Sequence, residues 1–535
     1  MSESMRASDL LVECLEAEGV ERVFGIPGEE NLDVMDALKG SGVEFVLTRH
    51  ENSAAFIAST CARLTNRPHV CLSTLGPGAT NMVTGVAEAF LSYIPLIAIT
   101  GQVGADQAFF PRKQHLDLGQ LFRPVTKASF SLRSPENIPS MVRRAFQLAA
   151  QERPGPVHLE LPEDAMKAQV KGRPLPCTKA HQAKLDRAAL GKARDIISSS
   201  KRPLILAGPG VFRSGAGSSL RKFARSWGIP VAHTWHGTGV MPYDDELSLN
   251  TVGLRAKDRA RKVFEQMDAV LLIGFDVPEF QPGFWNVGDP KKVVGLVAAP
   301  LEAVPGLQVD LQLVGPLDAM LKRLSTDARR KENWALGLRQ DLQACIDGCP
   351  ADSSPVKPQL AVRAIRARLG RSDICTSDVG AHLLWLAKLY PVYQENTLLL
   401  TNGLIPMGIG IPSAIGAKLV HPERKVVSVV GDGGLMMSAG ELETAKRLGT
   451  SFVTVVFNDS GLGLIKLKHE KAYKRHYGTD FGNPDLVKFA ESFGAVGYRV
   501  KTAKELDEAL AQALRNDELA LIDVPIDYRE NDGLF

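Results

Sequence analysis

The chain has 535 residues, which predicts three or four domains at about 150 residues per domain. Apolar residues make up 44% and charged residues 23%, which is ordinary globular usage, so a disordered, collagen-like or coiled-coil protein is not expected. Lys and Arg (63) nearly balance Asp and Glu (60), leaving a net charge of +3. Such a balance is not typical of an electrostatic nucleic-acid binder, and no nucleic-acid partner is predicted.

The amino terminus and the apolar runs bear on where the protein resides. The chain opens on polar MSESMRASD, and no apolar stretch of signal-peptide type follows. The longest apolar runs, such as 94–99 and 426–430, have the length of a strand, far below the roughly 18 residues of a membrane span. The seven cysteines are scattered without a CxxC pair, as in reduced proteins. The sequence therefore predicts a soluble, cytoplasmic protein.

Short apolar runs alternate with helical patterns along the chain. In the first block VERVFGIPG is predicted as a strand followed by a turn, VEFVLTRH and PLIAITGQ as strands, and HVCLSTLGPGATN as a strand followed by a glycine-rich loop. The predicted helices are ENSAAFIASTCARLT and a segment near 82–91. Later blocks repeat the pattern with RPLILAGPGV, AVLLIGFD, RKVVSVVGDGG and SFVTVVFNDSG. Near-continuous apolar strands between helices indicate parallel sheets that are covered on both faces.

Two polar stretches, at about 166–187 and 325–358, are candidate linkers. They divide the chain into 1–165, 188–325 and 358–535, and each block has the size of a domain. We predict three open parallel-sheet α/β domains in series.

Ligands of open parallel sheets bind beyond the carboxyl ends of the strands, so the loops at those ends are the candidate sites. In the first block they are GIPGEEN, the RHE of 49–51, and TLGPGATN; in the third they are SDVGAH, GLIPMG, GDGG and NDSG. Neither the Walker A pattern nor the GxGxxG dinucleotide fingerprint is present. Taken singly, the paired glycines indicate only turns.

Two acids of the third block form a stronger signal. Asp432 and Asp459 each follow an apolar strand with one helical stretch between them, and a right-handed β-α-β unit places both at one edge of the sheet. Paired carboxylates beside glycine turns suit Mg²⁺. Either acid alone could simply cap the helix that follows it. Glu51 is equally open by pattern alone, because a glutamate at a helix start is common.

A set of motifs resembles one known family. The signature is Gly431-Asp432-Gly433, 24 residues, and Asn458-Asp459, accompanied by RHE at 49–51, GPGATN at 76–81, ITGQ at 99–102 and MGIGIPSAIGA at 407–417. With these motifs the sequence resembles the thiamine-diphosphate-dependent enzymes of the acetolactate synthase type. The resemblance covers the whole chain, with a pyrimidine-binding domain at 1–165, a middle domain at 188–325 and a diphosphate-binding domain at 358–535.

The resemblance implies roles for individual residues. Glu51 would hydrogen-bond the aminopyrimidine ring as the catalytic acid, and Gln114 would face the substrate, with neighbouring Lys113 and His115 as competitors for that role. Met407 would be the apolar residue wedged under the cofactor. The implied Mg²⁺ ligands are Asp432, Asp459 and the carbonyl of Gly461. The remaining implied cofactor contacts are Pro27, Gly28, Thr74, Asn81, Val379, Gly380, His382, Gly431, Gly433 and Asn458.

The resemblance also implies an activity and an assembly. The expected enzyme decarboxylates pyruvate on thiamine diphosphate and condenses the hydroxyethyl unit with a second 2-oxo acid to give 2-acetolactate. A lyase or carboligase for another 2-oxo acid or aldehyde, and a flavin-dependent pyruvate oxidase, stay open as alternatives. The segment 270–286 and the Asp at 459 resemble the catabolic, flavin-free branch, so FAD is expected to be absent. Because the family's cofactor lies between subunits, we expect a homodimer at minimum and a homotetramer by analogy.

Two departures from the family pattern bear on the substrate. Leu75 stands where the common motif has a serine, and the segment 462–478 after the metal loop differs from the one that covers pyruvate in the catabolic enzymes. The resemblance therefore identifies the cofactor more firmly than the substrate.

Overall fold

A computed structural model describes residues 4–104, 107, 113–177, 185–253, 261–286, 291–326, 328–347 and 352–534. This part of the chain contains three six-stranded sheets, with helices between the strands. Neighbouring strands within each of the three sheets pair in parallel. The predicted class, three open parallel-sheet α/β domains, is confirmed. Within the same residues, no helix has both the length and the apolar character that crossing a membrane requires.

The first domain is built on strands β2 to β7. Its strands are β1 (Met5–Arg6), β2 (Arg22–Gly25), β3 (Glu44–Leu47), β4 (His69–Ser73), β5 (Leu96–Gln102), β6 (Ala128–Ser131), β7 (Pro156–Pro162) and β8 (Gln169–Val170). Its helices are α1 (Ala7–Ala17), α2 (Leu32–Lys39), α3 (Glu51–Thr65), α4 (Pro77–Leu91), α5 (Leu118–Phe122), α6 (Ile138–Ala150) and α7 (Glu163–Lys167). The sheet order is β3-β2-β4-β5-β7-β6, and β1 pairs with β8 in a small antiparallel ribbon.

The middle domain has a different strand order. Its strands are β9 (Pro203–Ala207), β10 (Val231–His233), β11 (Ser248–Thr251), β12 (Ala269–Ile273), β13 (Lys292–Val297) and β14 (Leu311–Val314). Its helices are α8 (Arg187–Ser199), α9 (Gly210–Arg213), α10 (Gly217–Trp227), α11 (Arg261–Gln266), α12 (Pro282–Trp285), α13 (Leu317–Leu324) and α14 (Leu336–Asp347). The sheet order β11-β10-β9-β12-β13-β14 is that of the dinucleotide-binding folds, with the change of direction between β9 and β12.

The third domain repeats the topology of the first. Its strands are β15 (Ile374–Ser377), β16 (Leu398–Leu399), β17 (Val426–Gly431), β18 (Val453–Asn458), β19 (Val496–Arg499) and β20 (Ala520–Pro525). Its helices are α15 (Pro358–Arg368), α16 (Ala381–Leu389), α17 (Gly410–Val420), α18 (Asp432–Ser438), α19 (Glu441–Arg447), α20 (Gly463–Tyr473), α21 (Leu486–Ser492) and α22 (Ala503–Asn516). The order β16-β15-β17-β18-β20-β19 is the first domain's order, strand for strand.

The strands read as continuous apolar runs because helices cover both faces of each sheet. In β9, Leu204 and Leu206 belong to one hydrophobic cluster, while Ile205 and Ala207 belong to another. Successive side chains of a strand point to opposite faces, so the two clusters are the two covered faces.

Most of the predicted elements agree with the structure, but several helices begin inside predicted loops, as α16 does at Ala381 within SDVGAH. Helix α14 also lies inside the stretch 325–358 that was predicted as a linker. Helix α3 spans the predicted ENSAAFIASTCARLT from end to end. Helix α4, however, begins at Pro77, so 77–81 are helical and the prediction of a glycine-rich loop there is wrong. Proline suits a first helical turn, since its missing N–H has no helical partner to lose. Asp432 is likewise the first residue of α18 and not part of a loop.

The described residues form two compact units. The first comprises those within Met1–Ala180 together with Gly403–Glu423 and Gly434–Ser451, and the second comprises those within His181–Asn402, Arg424–Gly433 and Phe452–Phe535. In the first unit, α17 packs closely on α3: a Cβ on Gly416 would lie 2.9 Å from Cβ of Thr60. Helices α17 and α19 therefore belong to the surroundings of α3, although they follow it by more than 340 residues in sequence.

Candidate functional site

Glu51 is the first residue of α3, directly after the turn that leaves β3. His50 caps this helix, because its Nδ1 accepts a hydrogen bond from the N–H of Asn52 at 3.1 Å. The Glu51 side chain is buried, with 7% exposure, and its Oε2 accepts a hydrogen bond from Nδ2 of Asn81 at 3.0 Å. The amino-terminal parts of α3 and α4, which follow β3 and β4, thus bring together two residues that the sequence assigned to one site.

The other predicted cofactor contacts of this domain lie at the same carboxyl edge of the first sheet. A Cβ on Gly78 would lie 3.2 Å from Oε1 of Glu51, so the glycine leaves room for the carboxylate. Gly28, which follows exposed Pro27, packs on Thr74, and the Thr74 hydroxyl donates a hydrogen bond to Glu30. The ends of β2 and β4 are thereby joined.

Gln114 lies beside the glycine-rich turn, in a backbone conformation with φ +67°. A Cβ on Gly76 would lie 2.7 Å from its carbonyl oxygen, so its backbone is held against the start of α4. The side chains of Gln114 and Lys113 are exposed and that of His115 is half-buried. The geometry does not choose among these three, and the substrate-facing role of Gln114 stays a prediction.

Leu75, the departure from the family motif, points into the protein core. It is 1% exposed. The residue therefore contributes to packing behind the turn.

Glu441 is a partner of the Glu51 turn that sequence analysis missed. Its carboxylate accepts hydrogen bonds from the N–H of Arg49 at 3.0 Å and from the hydroxyl of Thr444 at 2.6 Å, with further bonds from His50 and Ser53. The side chain is 1% exposed, and burial raises its pKa. No local pattern could have found this residue, because α19 reaches the turn only through the packing of distant segments.

Met407 is half-buried in the segment 403–409, which the structure anchors away from Glu51. Before Met407, the backbone N–H groups of Leu404 and Ile405 bond to Glu88 near the end of α4. After it, Ser413 of α17 accepts a hydrogen bond from Thr60 in the second half of α3. Asn81 and Glu88 are about 10 Å apart along α4 at 1.5 Å per residue. Glu51 and the anchors of the Met407 segment thus stand on opposite halves of the α3–α4 pair.

The carboxyl edge of the third sheet carries the predicted metal ligands. Asp432 is 1% exposed and accepts hydrogen bonds from the N–H of Ser460 at 2.7 Å and from Nδ2 of Asn483 at 2.8 Å. Asn483 also donates to Oδ1 of Asn458 at 3.1 Å. The sequence analysis did not predict Asn483, because this residue lies in the loop after α20 and does not follow a strand. The ends of β17 and β18 are therefore brought together, as the β-α-β argument predicts.

Asp459 has an electrostatic environment that suits a bound cation. Burial, and then repulsion from Asp432, raise its pKa to about 7. A cation between two such carboxylates would relieve both effects. A Cβ on Gly463 would lie 2.2 Å from Oδ2 of Asp459, so this glycine keeps space beside the carboxylate, and Gly461 precedes it in the same turn. Among the described residues no three His, Cys, Asp or Glu side chains gather as a metal cluster, which leaves these two acids and a carbonyl as the candidate donors.

His382 joins the predicted diphosphate loop to the metal loop. Cβ atoms on Gly380 and Gly431 would lie 2.7 Å and 3.3 Å from its Cε1, so both glycines admit the ring. His382 is 1% exposed, and burial lowers its pKa to about 4. Its Nε2 finds no hydrogen-bond partner within the part of the chain that the structure describes. Val379 and Gly433 lie at the ends of the same two strands, β15 and β17.

Comparison with known proteins agrees with this geometry. Three family models match in order: the thiamine pyrophosphate enzyme N-terminal TPP binding domain at 5–118, the central domain at 190–324 and the C-terminal TPP binding domain at 378–524. The chain is 35% identical to the acetolactate synthase of Bacillus subtilis over 541 residues, which cover 99% of this chain and 94% of that protein. This chain belongs to the thiamine-diphosphate-dependent acetolactate synthase family.

Two further relatives of the acetolactate synthase family are similar over nearly their full lengths. A probable acetolactate synthase large subunit of Methanocaldococcus jannaschii is 34% identical, with 98% of this chain and 93% of that protein covered. A catabolic acetolactate synthase of Raoultella terrigena is 32% identical, with 98% and 95% covered. The protein is thus an enzyme of the acetolactate synthase type that depends on thiamine diphosphate, as the sequence motifs predicted.

Proposed function

We propose that the enzyme forms 2-acetolactate from two 2-oxo acids, with pyruvate as the decarboxylated donor. The observation that carries the proposal is the buried Glu51 carboxylate, held by Asn81 at the carboxyl edge of the first sheet. A buried acid at a strand end, bonded on one oxygen, is placed to exchange a proton with a ring nitrogen of a bound heterocycle. The acetolactate synthase names of the relatives support the product.

Different residues of the chain would contact different parts of the cofactor. Thiamine diphosphate supplies the electron sink when it is bound. Glu51 would hold a proton at Oε1, the oxygen that does not accept the Asn81 hydrogen bond, next to the space that Gly78 leaves open. Met407 would support the cofactor from its apolar side, and Gln114 would face the substrate. Pro27, Gly28 and Thr74 would line the pyrimidine end of the site, where Thr74 already holds the β2 and β4 ends together.

We also propose that Mg²⁺ and the diphosphate bind at the edge of the third sheet. The residues fit the pair chemically, since the buried carboxylate of Asp432, the half-buried carboxylate of Asp459 and the Gly461 carbonyl are hard oxygen donors of the kind Mg²⁺ takes. The unpartnered Nε2 of His382 is a hydrogen-bonding group that a phosphate oxygen would satisfy. The remaining proposed cofactor contacts of this domain are Val379, Gly380, Gly431, Gly433 and Asn458.

A homodimer at minimum is part of the proposal. In one chain the Glu51 end of α3 and α4 lies about two helical turns from the anchors of the Met407 segment. The resemblance to the family implies that Glu51 and Met407 of one site come from different copies of the chain. The expected homotetramer rests on analogy with the family.

We propose that catalysis needs no FAD. Dinucleotides bind where the strand order of such a sheet reverses, between β9 and β12, and they need free backbone donors there. Here the N–H groups of Gly208 and Gly210 donate to the carbonyls of Ile273 and Gly274, each at 2.9 Å. Arg213 and Asp276 form a buried ion pair at 2.8 Å beside them. This filled crevice supports the flavin-free interpretation.

A cytoplasmic location is proposed from the cysteines. The five whose side chains are described (Cys14, Cys61, Cys71, Cys177 and Cys375) are free thiols, and Cys177 is exposed. An exposed free thiol is typical of a reducing compartment.

The test is incubation of the purified protein with thiamine diphosphate, Mg²⁺ and pyruvate, with and without a second 2-oxo acid or an aldehyde. Formation of 2-acetolactate and CO₂ from pyruvate alone, identified by NMR, is the expected result. A product that appears only with another 2-oxo acid or an aldehyde would establish the alternative carboligase. Colourless protein that releases no flavin on denaturation is expected, and bound FAD required for turnover would overturn the flavin-free proposal.

A further inference from the structure

Glu88 is a buried acid with no role in the site described so far. It lies near the carboxyl end of α4 and is 3% exposed. Its Oε1 accepts a hydrogen bond from the Ser92 hydroxyl at 2.7 Å, and its Oε2 accepts the backbone N–H groups of Leu404 at 2.7 Å and Ile405 at 3.0 Å. One carboxylate thus accepts hydrogen bonds from two consecutive backbone N–H groups that lie more than 300 positions away in sequence.

The turn at Leu404 and Ile405 has an unfavourable backbone conformation. Ile405 has φ +59°, in the left-handed region that a β-branched residue rarely adopts. Its side chain is 40% exposed and that of Leu404 is 42% exposed, so core packing of these side chains does not hold the turn. The two backbone hydrogen bonds to Glu88 oppose this strain.

The two residues after the strained turn are Pro406 and Met407. Pro406 is buried, and its ring fixes its own φ. The backbone direction at Ile405 therefore determines the backbone direction at Met407. On the other side, a Cβ on Gly408 would lie 3.0 Å from that of Met437, which leaves little freedom beyond Met407. The position of Met407 therefore depends on the conformation of Ile405.

We propose that Glu88 is a positioning residue for the cofactor: it holds Ile405 in the left-handed conformation and thereby places Met407 against bound thiamine diphosphate. The inference rests on the proposed function of Met407. Glu88 touches neither cofactor nor substrate in this role. It acts through the turn.

The test compares thiamine diphosphate affinity, measured by calorimetry with Mg²⁺ on the full chain, in four proteins. Glu88→Met keeps the length of the side chain but removes the acceptors, and affinity should fall by about tenfold because the hydrogen bonds that oppose the strain at Ile405 are lost. Ile405→Gly should bind as the wild type does. The double variant Glu88→Met/Ile405→Gly should recover most of the loss, since glycine adopts positive φ without strain.

The rescue separates positioning from a merely structural role. If Glu88 only stabilised the fold, Ile405→Gly would add a further loss and no recovery. The proposal is overturned if Glu88→Met binds normally, or if the double variant binds no better than Glu88→Met. Should Glu88→Met fail to fold, Glu88→Asp, which is too short to reach both N–H groups, replaces it with the same expected rescue.

Two controls complete the design. Glu88→Gln should stay within about twofold of the wild type, since its amide oxygen accepts both N–H groups and its NH₂ bonds Ser92. Glu13→Gln, on the exposed face of α1, makes the same change at a site without these contacts. Failure of the wild type to bind thiamine diphosphate would overturn the proposed function itself, whereas normal binding by both the wild type and Glu88→Met would overturn this inference alone.

Discussion

The carboxylate of Glu441 accepts a hydrogen bond from the backbone N–H of Arg49 at 3.0 Å, although 392 positions separate the two residues. Arg49 stands two residues before Glu51, in the turn that starts α3. Glu441 thus holds the turn from which the proposed catalytic acid extends. Its burial is costly for an ionised group, and the donors from Arg49, His50, Ser53 and Thr444 offset that cost.

Glu441→Gln should lower kcat while the protein stays folded. The amide offers one acceptor oxygen in place of two, so the turn before Glu51 loosens, and small misplacements of a catalytic group cost between about tenfold and 10²-fold. Steady-state kinetics at saturating cofactor measure the loss. Glu423→Gln, whose side chain is 66% exposed, is the matched control and should be unaffected. Full kcat in Glu441→Gln would show that the turn does not need this acid.

The same variant predicts a pH dependence of stability. Because the folded pKa of Glu441 is raised above the ordinary 4.5, its contribution to stability is present at low pH and is lost as the pH rises through the folded value. The free energy of unfolding of the wild type should therefore fall relative to that of Glu441→Gln as the pH rises above 4.5. Urea unfolding of both proteins across this range measures the difference, and a constant difference would contradict the prediction.

Glu51→Gln should slow proton exchange at C2 of bound thiamine diphosphate by at least roughly 10²-fold, the usual loss when general acid–base help is removed. The amide keeps the hydrogen bond to Asn81 but cannot ionise. NMR-detected exchange with deuterium measures the rate. Glu21→Gln, whose side chain is 83% exposed, is the control. Exchange at the wild-type rate would rule out the proton-transfer role.

Asp432→Ala should raise the thiamine diphosphate and Mg²⁺ concentrations needed for activity far more than the pyruvate concentration. The change removes a proposed anchor of the cation and leaves substrate contacts in place. Asn483→Ala, which removes the support of Asp432 and Asn458, should weaken cation binding by roughly 10-fold to 100-fold. Glu508→Ala, at a side chain 65% exposed, serves as the control. Equal shifts in the cofactor and pyruvate requirements would count against the assignment.

His158 should make the first domain sensitive to acid. It is fully buried between Thr100 and Ser129 and stacks on Phe122, and burial lowers its pKa to about 3. Because the folded pKa lies below the ordinary 6.5, its contribution is present above pH 6.5 and is lost as the pH falls. The stability advantage of the wild type over His158→Gln should shrink by up to about 1.4 kcal/mol per pH unit below that value. An advantage that does not change with pH, measured by urea unfolding, would refute the prediction.

The fold class, the family and much of the local structure follow from local patterns in the sequence. Helix α3 could be predicted from end to end, because its small and apolar residues run without a glycine or proline, and in the structure every residue of 53–62 is buried. The edge shared by Asp432 and Asp459 followed from the handedness of β-α-β units, which holds whatever the rest of the chain does. The start of α4 could not be read in the same way, since PGATN suits both a glycine-rich loop and a first helical turn.

The distant groups that support the site can be identified only in the folded chain. Glu441, Glu88 and Asn483 carry no motif, and each becomes informative only because packing places its polar atoms beside a particular turn or carboxylate. Likewise, the paired glycines at 208 and 210 are consistent with a dinucleotide site until their N–H groups are seen bonded to Ile273 and Gly274. Local sequence patterns show which positions of an element are buried and where strands end. A hydrogen bond between residues hundreds of positions apart depends instead on how whole helices pack.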